Sequence, residues 1–201
     1  MDIIKLDPRQ LRSASELLAN TFFDYPRFTL YFPNPNRRAR FLPWYFRNIL
    51  RTALRFGEVY TTPDVSGVIL IIPPGKTRIS ILEYIQNGFL LTPFALGFKN
   101  YYRSMKCEDF VDKTRIELLN SRPHYYLWTL AVDVKKKAKG IGSALLQLAI
   151  DKANAQKLPI YLETHKEINV GYYIKHGFKL VHNACIPKIQ LPIWCMLREP
   201  D

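Results

Sequence analysis

The feature that most constrains the fold is a strand that enters a helix through a basic loop containing glycine. Residues 124–132 form the predicted strand, and its run from Tyr125 to Leu130 is apolar on both faces, as expected for a central strand. The loop that follows carries four lysines, and apolar residues recur at helical spacing from Ile141. The first N–H groups of such a helix lack partners within it and, with the helix dipole, favour a bound phosphate. The segment therefore predicts an anion-binding site.

Two glycines, Gly140 and Gly142, would let that phosphate approach the backbone. The spacing excludes the mononucleotide-binding loop, because no Gly-Lys-Ser/Thr follows four residues after a first glycine, and the three-glycine dinucleotide fingerprint is absent too. The remaining common ligand is the pyrophosphate of coenzyme A. The alternative is that both glycines serve only the loop and the start of the helix.

The stretch from Lys137 to Gly142 resembles the acetyl-CoA loop of the GNAT superfamily of N-acetyltransferases, Arg/Gln-x-x-Gly-x-Gly/Ala, although lysine stands in the first position here. Asn169 and residues 173–178 match the second CoA motif of that superfamily at the required distance. Residues 161–164 and 194–196 resemble the puromycin N-acetyltransferase branch in particular. The resemblance covers about residues 124 to 198, and it continues more weakly into the first half at residues 22–26 and 67–75.

The resemblance implies an α/β (α+β) fold: a single GNAT-type domain with a mixed, mostly antiparallel central sheet flanked by helices, and an extra helical segment in the first half. It implies an acetyl-CoA-binding core over residues 124–198 and acceptor-site elements within residues 3–123. It also implies a set of residues that bind acetyl-CoA through the strand backbone, the loop and the following helices: Leu130, Ala131, Val132, Lys137, Ala138, Lys139, Gly140, Ile141, Gly142, Ser143, Asn169 and Tyr173.

Two residues are candidates for the chemistry. Tyr173 matches the tyrosine that protonates the leaving thiolate in the superfamily, and the offset to Gly177 selects it over Tyr172, which helical periodicity turns away from the cofactor. Glu163 is the best substitute for a base or amine-binding carboxylate, because the central strand carries none. A structural role remains open for both residues, and Asn169 could instead be an N-cap.

Composition limits the remaining possibilities. A chain of 201 residues that is 48% apolar, with no composition break, indicates one domain. Three cysteines without metal spacing favour a reduced, cytoplasmic protein without a disulfide framework or metal site, and the sequence shows neither a secretory signal nor a membrane span. The net charge of +12 makes nucleic acid an improbable but open partner. We expect no membrane partner, and the sequence leaves a monomer or a homodimer open.

Along the chain the pattern predicts strand then helix, an irregular aromatic insertion at residues 24–36, a basic helix to Phe56 and a hairpin at residues 58–72. Residues 79–120 have helical spacing and aromatic side chains that could pack under the sheet or line an acceptor pocket. The basic helix carries arginines on one face at i, i+4 and i+8, with a solvated face as the simplest interpretation. We expect the four histidines at the surface or in loops, and Cys195 to be a small buried hydrophobe.

The predicted function is an acetyl-CoA-dependent N-acetyltransferase that moves acetyl to a primary amine of a small molecule by direct attack. Two alternatives stay open. The acceptor could be an aminoacyl-tRNA or a protein amine, and the chain could be a non-catalytic acyl-CoA-binding module.

Overall fold

One seven-stranded sheet with helices against both faces organises the computed structural model, which describes residues 1–76, 81–136 and 139–201. The predicted cofactor-binding residues Lys137 and Ala138 lie outside the described residues. The strands are β1 (Ile4–Lys5), β2 (Glu58–Thr61), β3 (Gly67–Ile72), β4 (Tyr125–Val132), β5 (Ile160–Thr164), β6 (Lys179–Ile186) and β7 (Leu191–Arg198). The α-helices are α1 (Leu11–Thr21), α2 (Pro26–Tyr31), α3 (Pro35–Phe56), α4 (Ile81–Gln86), α5 (Thr92–Leu96), α6 (Phe98–Leu119), α7 (Ile141–Ala155) and α8 (Ile168–Ile174).

The sheet order is β1-β2-β3-β4-β5-β7-β6, and every neighbouring pair is antiparallel except β4 and β5. The prediction of a mixed, mostly antiparallel sheet flanked by helices is therefore confirmed. The structure has the GNAT fold, with the extra helical segment in its first half.

Two apolar layers explain why β3 and β4 are apolar at nearly every position. Val68, Leu70 and Ile72 of β3 belong to the core shared with α1, α3 and α6. Ile69 and Ile71 face the other way and pack in the layer formed with α7. Because successive side chains of a strand point to opposite faces, a strand covered on both sides needs an unbroken apolar run.

The beginning of the chain follows the predicted strand and helix. Asp7 caps a 3₁₀ turn at Pro8–Gln10 through a reciprocal capping box with Gln10, and α1 continues directly from it. The predicted irregular insertion is partly wrong, because α2 forms within it with Pro26 at its first position, where a missing N–H costs no helical bond. Within the basic segment α3 runs through Pro43 without ending, and Asn34 caps its start by accepting from two backbone amides.

The second half positions the candidate site. β4 leads through the 3₁₀ turn Val134–Lys136 and the loop to α7, as the sequence pattern predicts. β5, α8 and the β6-β7 hairpin follow, and Gly177 takes a positive φ of 82° directly after α8. Among the described residues, no helix has both the length and the hydrophobicity needed to cross a bilayer.

Candidate acetyl-transfer site

The centre of the site is a gap between β4 and β5. These parallel strands are paired at Tyr125↔Ile160 and Tyr126↔Tyr161 only, and they separate beyond that point. On its other edge β4 stays paired with β3 up to Val132, with an irregularity opposite Leu70 and Ile71 that leaves Trp128 as an extra residue. The predicted cofactor-binding segment Leu130–Val132 therefore runs along the open side of the gap. Backbone groups there are available for an extended ligand to pair with.

The start of α7 lies at the end of this gap and has the form of an anion cradle. Gly140 precedes the helix with a φ of 75°, a conformation that favours glycine. The first helical bond runs from Ala144 N to Gly140 O, so the amides of Ile141, Gly142 and Ser143 come before the hydrogen-bonded ladder. A Cβ atom on Gly142 would lie 3.1 Å from the Tyr172 hydroxyl and 3.3 Å from Val132 Cγ2. The backbone is thus accessible there only because residue 142 lacks a side chain.

The lysines of the loop do not all point to this cradle. The Lys136 ammonium lies 2.6 Å from Asp64 Oδ2 and 2.7 Å from Ser66 Oγ, in the turn between β2 and β3. The ion pair and hydrogen bonds from Lys136 and the nearby hydroxyls hold the pKa of the Asp64 carboxyl below its usual range. Lys139 is exposed beside Gly140. Among the described lysines of the loop, Lys139 is therefore the better placed to meet a phosphate.

Of the two tyrosines of α8, Tyr173 lines the cleft and Tyr172 lies against the start of α7. Tyr173 contributes to the wall of the gap and packs against Phe178, with ring centroids 5.6 Å apart. Burial raises the pKa of Tyr173, so its hydroxyl keeps its proton at neutral pH. The expectation that Tyr172 faces away from the cofactor is wrong, because its hydroxyl lies against Gly142 at the start of α7. Because a tyrosine side chain is long, the hydroxyl of Tyr172 reaches Gly142 of α7 even though Tyr172 and Tyr173 leave α8 in different directions.

A cleft of about 100 Å³ extends from the gap toward the first half of the chain. Residues from α2 and α3, and from the segment between α1 and α2, form one wall, while β4, the end of β5 and α8 form the other. Arg27 and Glu163 provide its charged groups, and much of the remaining wall is aromatic: Phe22, Tyr25, Phe28, Tyr45, Phe46 and Trp128. Such a cleft suits a small ligand that has an apolar body and a polar end.

Glu163 lies in this cleft, beside the point where the strands separate. One carboxylate oxygen accepts a hydrogen bond from the Tyr126 hydroxyl across the paired ends of β4 and β5. The other oxygen, Oε2, is buried and has no hydrogen-bond partner among the described residues. Burial raises the pKa of Glu163, while the positive charge of Arg115 opposes that rise. A buried carboxylate with an open acceptor position can bind an ammonium group or take a proton.

Arg115 supports this carboxylate from α6. Its guanidinium lies over the Tyr126 ring, 4.5 Å from the centroid, and also forms a 2.7 Å ion pair with Asp112. The side chain of Arg115 is almost fully buried in spite of its charge. Its position fixes the tyrosine that donates to Glu163 and places a positive charge behind the pair.

The side chain of Asn169 is fixed at the end of β5, and the alternative that it serves as an N-cap is wrong. It is not an N-cap, since Glu167 occupies that position of α8. Its side-chain amide donates to Thr164 Oγ1 over 2.9 Å, and Thr164 is also 3.1 Å from the Tyr25 hydroxyl. The Tyr25 hydroxyl in turn accepts from the His165 backbone amide at 2.7 Å. This network joins the segment after α1 to the end of β5, and Asn169 is part of the cleft wall.

His165 is a cleft residue that the sequence analysis did not select. His165 lies in the loop directly after β5, which the expectation of a surface or loop position includes, but its side chain is buried rather than exposed. Its Nδ1 lies 2.7 Å from the carbonyl oxygen of Pro192, so Nδ1 carries the proton and Nε2 is the acceptor. Burial and the charge of Arg27 lower the pKa of His165 to about 4, so the ring is neutral at neutral pH. The sequence could not predict this burial, because a single histidine just after a strand is not part of a periodic apolar pattern.

Two other histidines, His124 and His176, lie outside the helices and strands as expected, but neither side chain is exposed. His124 is buried beside Tyr161, with ring centroids 6.3 Å apart. His176 lies half-buried, with Nε2 3.0 Å from the hydroxyl of Ser143, a predicted cofactor-binding residue at the start of α7. Cys195 is buried, as predicted, and burial raises the pKa of its thiol to about 11. The aromatic side chains predicted to be core or pocket wall in the segment 79–120 divide: Phe89 and Tyr101 pack on the core, whereas Phe94, Phe98 and Tyr102 are exposed.

Comparison with known proteins adds a second line of observation. Residues 95–178 match the sequence model of the acetyltransferase (GNAT) family. An uncharacterized N-acetyltransferase of Schizosaccharomyces pombe is 22% identical over 206 residues, which covers 98% of this chain and 83% of the relative.

Solved structures show the same fold at low sequence identity. A histone acetyltransferase HPA2 and related acetyltransferase from Corynebacterium glutamicum superposes with a TM-score of 0.66 at 19% identity, covering 99% of this chain and 96% of that one. Arylalkylamine N-acetyltransferase 2 from Aedes aegypti gives a TM-score of 0.64 at 15% identity, with coverage of 100% and 99%. The chain is therefore similar to acetyltransferases of the GNAT family in the sequence of residues 95–178, and it shares the fold of solved acetyltransferases over its whole length.

Proposed function

We propose that the protein transfers acetyl from acetyl-CoA to the primary amine of a small molecule by direct attack. The observation that carries the proposal is the gap between β4 and β5, where a phosphate cradle, a protonated tyrosine and a buried carboxylate meet. The resemblance to the puromycin N-acetyltransferase branch and the small, largely aromatic cleft both favour a small amine with an apolar body. The three free cysteines of the described chain fit a reducing, cytoplasmic setting.

The residues present fit acetyl-CoA. The amides that open α7 would bind the pyrophosphate, with Lys139 beside them, because glycine at 140 and 142 leaves the backbone open. The edge of β4 at Leu130–Val132 would pair with the pantetheine arm in the gap. When bound, acetyl-CoA supplies the activated acetyl thioester, and the chain's own residues do the rest.

Glu163 would receive the acceptor amine. Its unpartnered Oε2 can bind an ammonium group, and its raised pKa makes the carboxylate a stronger base for the proton that the amine must lose. Tyr173 would donate its hydroxyl proton to the departing sulfur, since its pKa keeps that proton in place until it is needed. Asn169 would hold the amide portion of the cofactor while it is itself fixed by Thr164.

A turnover screen tests this proposal. The purified protein is given acetyl-CoA and a panel of arylalkyl amines, aliphatic amines and peptide N-termini, and release of free thiol is followed. We expect turnover with small aromatic amines that depends on the amine. Hydrolysis without amine, or no release with any member of the panel while acetyl-CoA binds, would favour the acyl-CoA-binding module instead.

Substitution of Tyr173 tests the mechanism within the same assay. Tyr173→Phe should lower kcat and kcat/KM together by about 10- to 1000-fold while acetyl-CoA affinity changes little, because the lost donor acts in the transition state. Tyr102→Phe, on an exposed side chain near the start of α6, is the matched control. Full activity of Tyr173→Phe would remove the tyrosine from the mechanism.

A further inference from the structure

Exposed apolar side chains concentrate on one part of the surface. Leu82, Leu90, Leu91, Phe94, Phe98 and Tyr102 come from α4, α5, the start of α6 and the 3₁₀ turn Phe89–Leu91, and they form what we call the apolar face. Phe94 is 70% exposed and Phe98 72%, and their rings touch with centroids 5.8 Å apart. Single exposed apolar residues are ordinary, but a group of this size marks a surface that meets a partner or a membrane.

The apolar face is held in place from beneath. Thr92 and Leu96 of α5 are buried, so one side of this short helix faces the protein interior. The side that carries Phe94 faces outward. The side-chain amide of Asn48 donates to the carbonyl of Gly88 over 3.1 Å, and Phe89 packs on Tyr45 with ring centroids 5.8 Å apart. The outward side chains are therefore presented by an anchored segment.

Cations border the apolar face. Residues 81–106 contain three cations, Lys99, Arg103 and Lys106, and one acid, Glu83. The Lys106 ammonium lies 5.5 Å from the centroid of the Tyr102 ring. The arginine row of α3 adjoins the same surface, because Arg55 reaches Gln86 at the end of α4 over 3.3 Å and Arg51 is exposed one turn earlier.

We infer that this face docks on an anionic lipid bilayer, with the phenylalanines and leucines in the interface and the surrounding cations at the headgroups. Interfacial binding needs apolar side chains together with basic residues, and each Lys or Arg near an anionic surface strengthens it. A second copy of the chain is disfavoured as the occupant, since two such faces would oppose cations with cations. The inference goes beyond the proposed function and does not depend on it.

Vesicle flotation with the full chain tests the inference. We expect binding to vesicles of phosphatidylcholine with 30% phosphatidylglycerol and little binding to phosphatidylcholine alone. The double variant Phe94→Ser/Phe98→Ser should lower the partition coefficient about 10- to 100-fold, because two exposed rings no longer enter the interface. The triple variant Arg51→Gln/Lys99→Gln/Lys106→Gln should lower it about 100-fold, at about fivefold per charge.

Matched controls lie in and beside β6. Leu180→Ser/Val181→Ser removes two exposed apolar side chains, and Lys175→Gln/Lys179→Gln with Lys188→Gln removes three exposed cations from the other half of the chain. Neither control should change flotation by more than about twofold, and melting temperatures confirm that all variants fold.

Three outcomes would overturn the inference. The first is the absence of binding to anionic vesicles. The second is binding that survives Phe94→Ser/Phe98→Ser, which would be charge-driven adsorption alone. The third is a dimer, seen by sedimentation, that is lost in the same double variant, together with no binding of the native protein to vesicles. A second copy of the chain would then be the occupant.

Discussion

Replacing Glu163 with glutamine is the sharpest test of the candidate site, because the structure predicts opposite effects on activity and stability. Glutamine keeps an acceptor for the Tyr126 hydroxyl and nearly the same shape, but it cannot take a proton. Loss of a general base lowers the rate by about 10²- to 10⁴-fold, which corresponds to about 2.7 to 5.4 kcal/mol in the activation barrier. We therefore expect kcat/KM to fall by that factor while acetyl-CoA affinity stays the same.

Stability should respond in the other direction, and the sign follows from the pKa. Burial raises the pKa of the Glu163 carboxyl above its ordinary value of 4.5, so the folded state holds the proton more tightly than the unfolded chain. The contribution of this group to the free energy of unfolding is therefore present at low pH and is lost as pH rises from about 4.5 through the raised pKa. The glutamine variant lacks this loss, so at neutral pH it should be as stable as the native protein or more stable.

Two assays and one control complete the test. A plot of kcat/KM against pH should show an inflection above the ordinary glutamate pKa in the native protein and none in the variant. Urea unfolding at several pH values should show that this group lowers the free energy of unfolding as pH rises in the native protein but not in the variant. Glu167→Gln, an exposed glutamate at the start of α8, should change neither. If Glu163→Gln retains activity within about threefold, or loses stability as pH rises just as the native protein does, the assignment of the buried carboxylate as the base is wrong.

Further expectations follow from the same contacts. Arg115→Met should move the inflection of the rate profile to higher pH, because a charge that opposes the rise in the Glu163 pKa is gone, and Arg115→Lys should restore it in part; an unmoved profile would make Arg115 purely structural. Gly142→Asp should abolish acetyl-CoA binding by isothermal titration, whereas Gly171→Asp, where a Cβ meets nothing within 4 Å, should bind normally. Equal affinities would place the phosphate elsewhere. Acetyl-CoA at 100 times its dissociation constant should add about 2.7 kcal/mol to stability and raise the melting temperature by about 5 to 11 °C. Tyr172→Phe should change the KM for acetyl-CoA with kcat preserved, since its hydroxyl lies at the cradle; a fall in kcat as large as that of Tyr173→Phe would contradict this division of roles.

The elements built on local rules were predictable from the sequence. The apolar run of β4, the glycine-containing loop and the apolar period of α7 agree with one another, so the strand and the helix on either side of the proposed cradle were predicted correctly. The offset from Tyr173 to Gly177 likewise identified a residue that the structure brings to the cleft together with Glu163 and Asn169. These predictions depend on residues close in sequence, where spacing determines geometry.

Long-range packing determined what was missed. Helical spacing identifies an apolar stripe but not what covers it. Phe94 and Phe98 were therefore expected to pack under the sheet or to line an acceptor pocket, although they are exposed. The burial of His165 depends on β7 pairing beside β5 and offering the Pro192 carbonyl, which no local pattern reports. The direction of Tyr172 depends on how closely α8 approaches α7, a distance that periodicity alone cannot supply.

The bond between Lys136 and the turn of the β2-β3 hairpin has a consequence for the dynamics of the protein. Lys136 binds Asp64 and Ser66, and the Asp133 amide donates to the Ser66 carbonyl over 2.8 Å, so the segment that enters the cradle is anchored to a distant reverse turn. A ligand that orders the cradle would then slow the opening of that turn, although it touches none of its atoms. Amide hydrogen exchange at Ser66 should therefore slow when a ligand occupies the cradle. Replacing Lys136 with a neutral residue should remove this dependence of the exchange rate on the ligand.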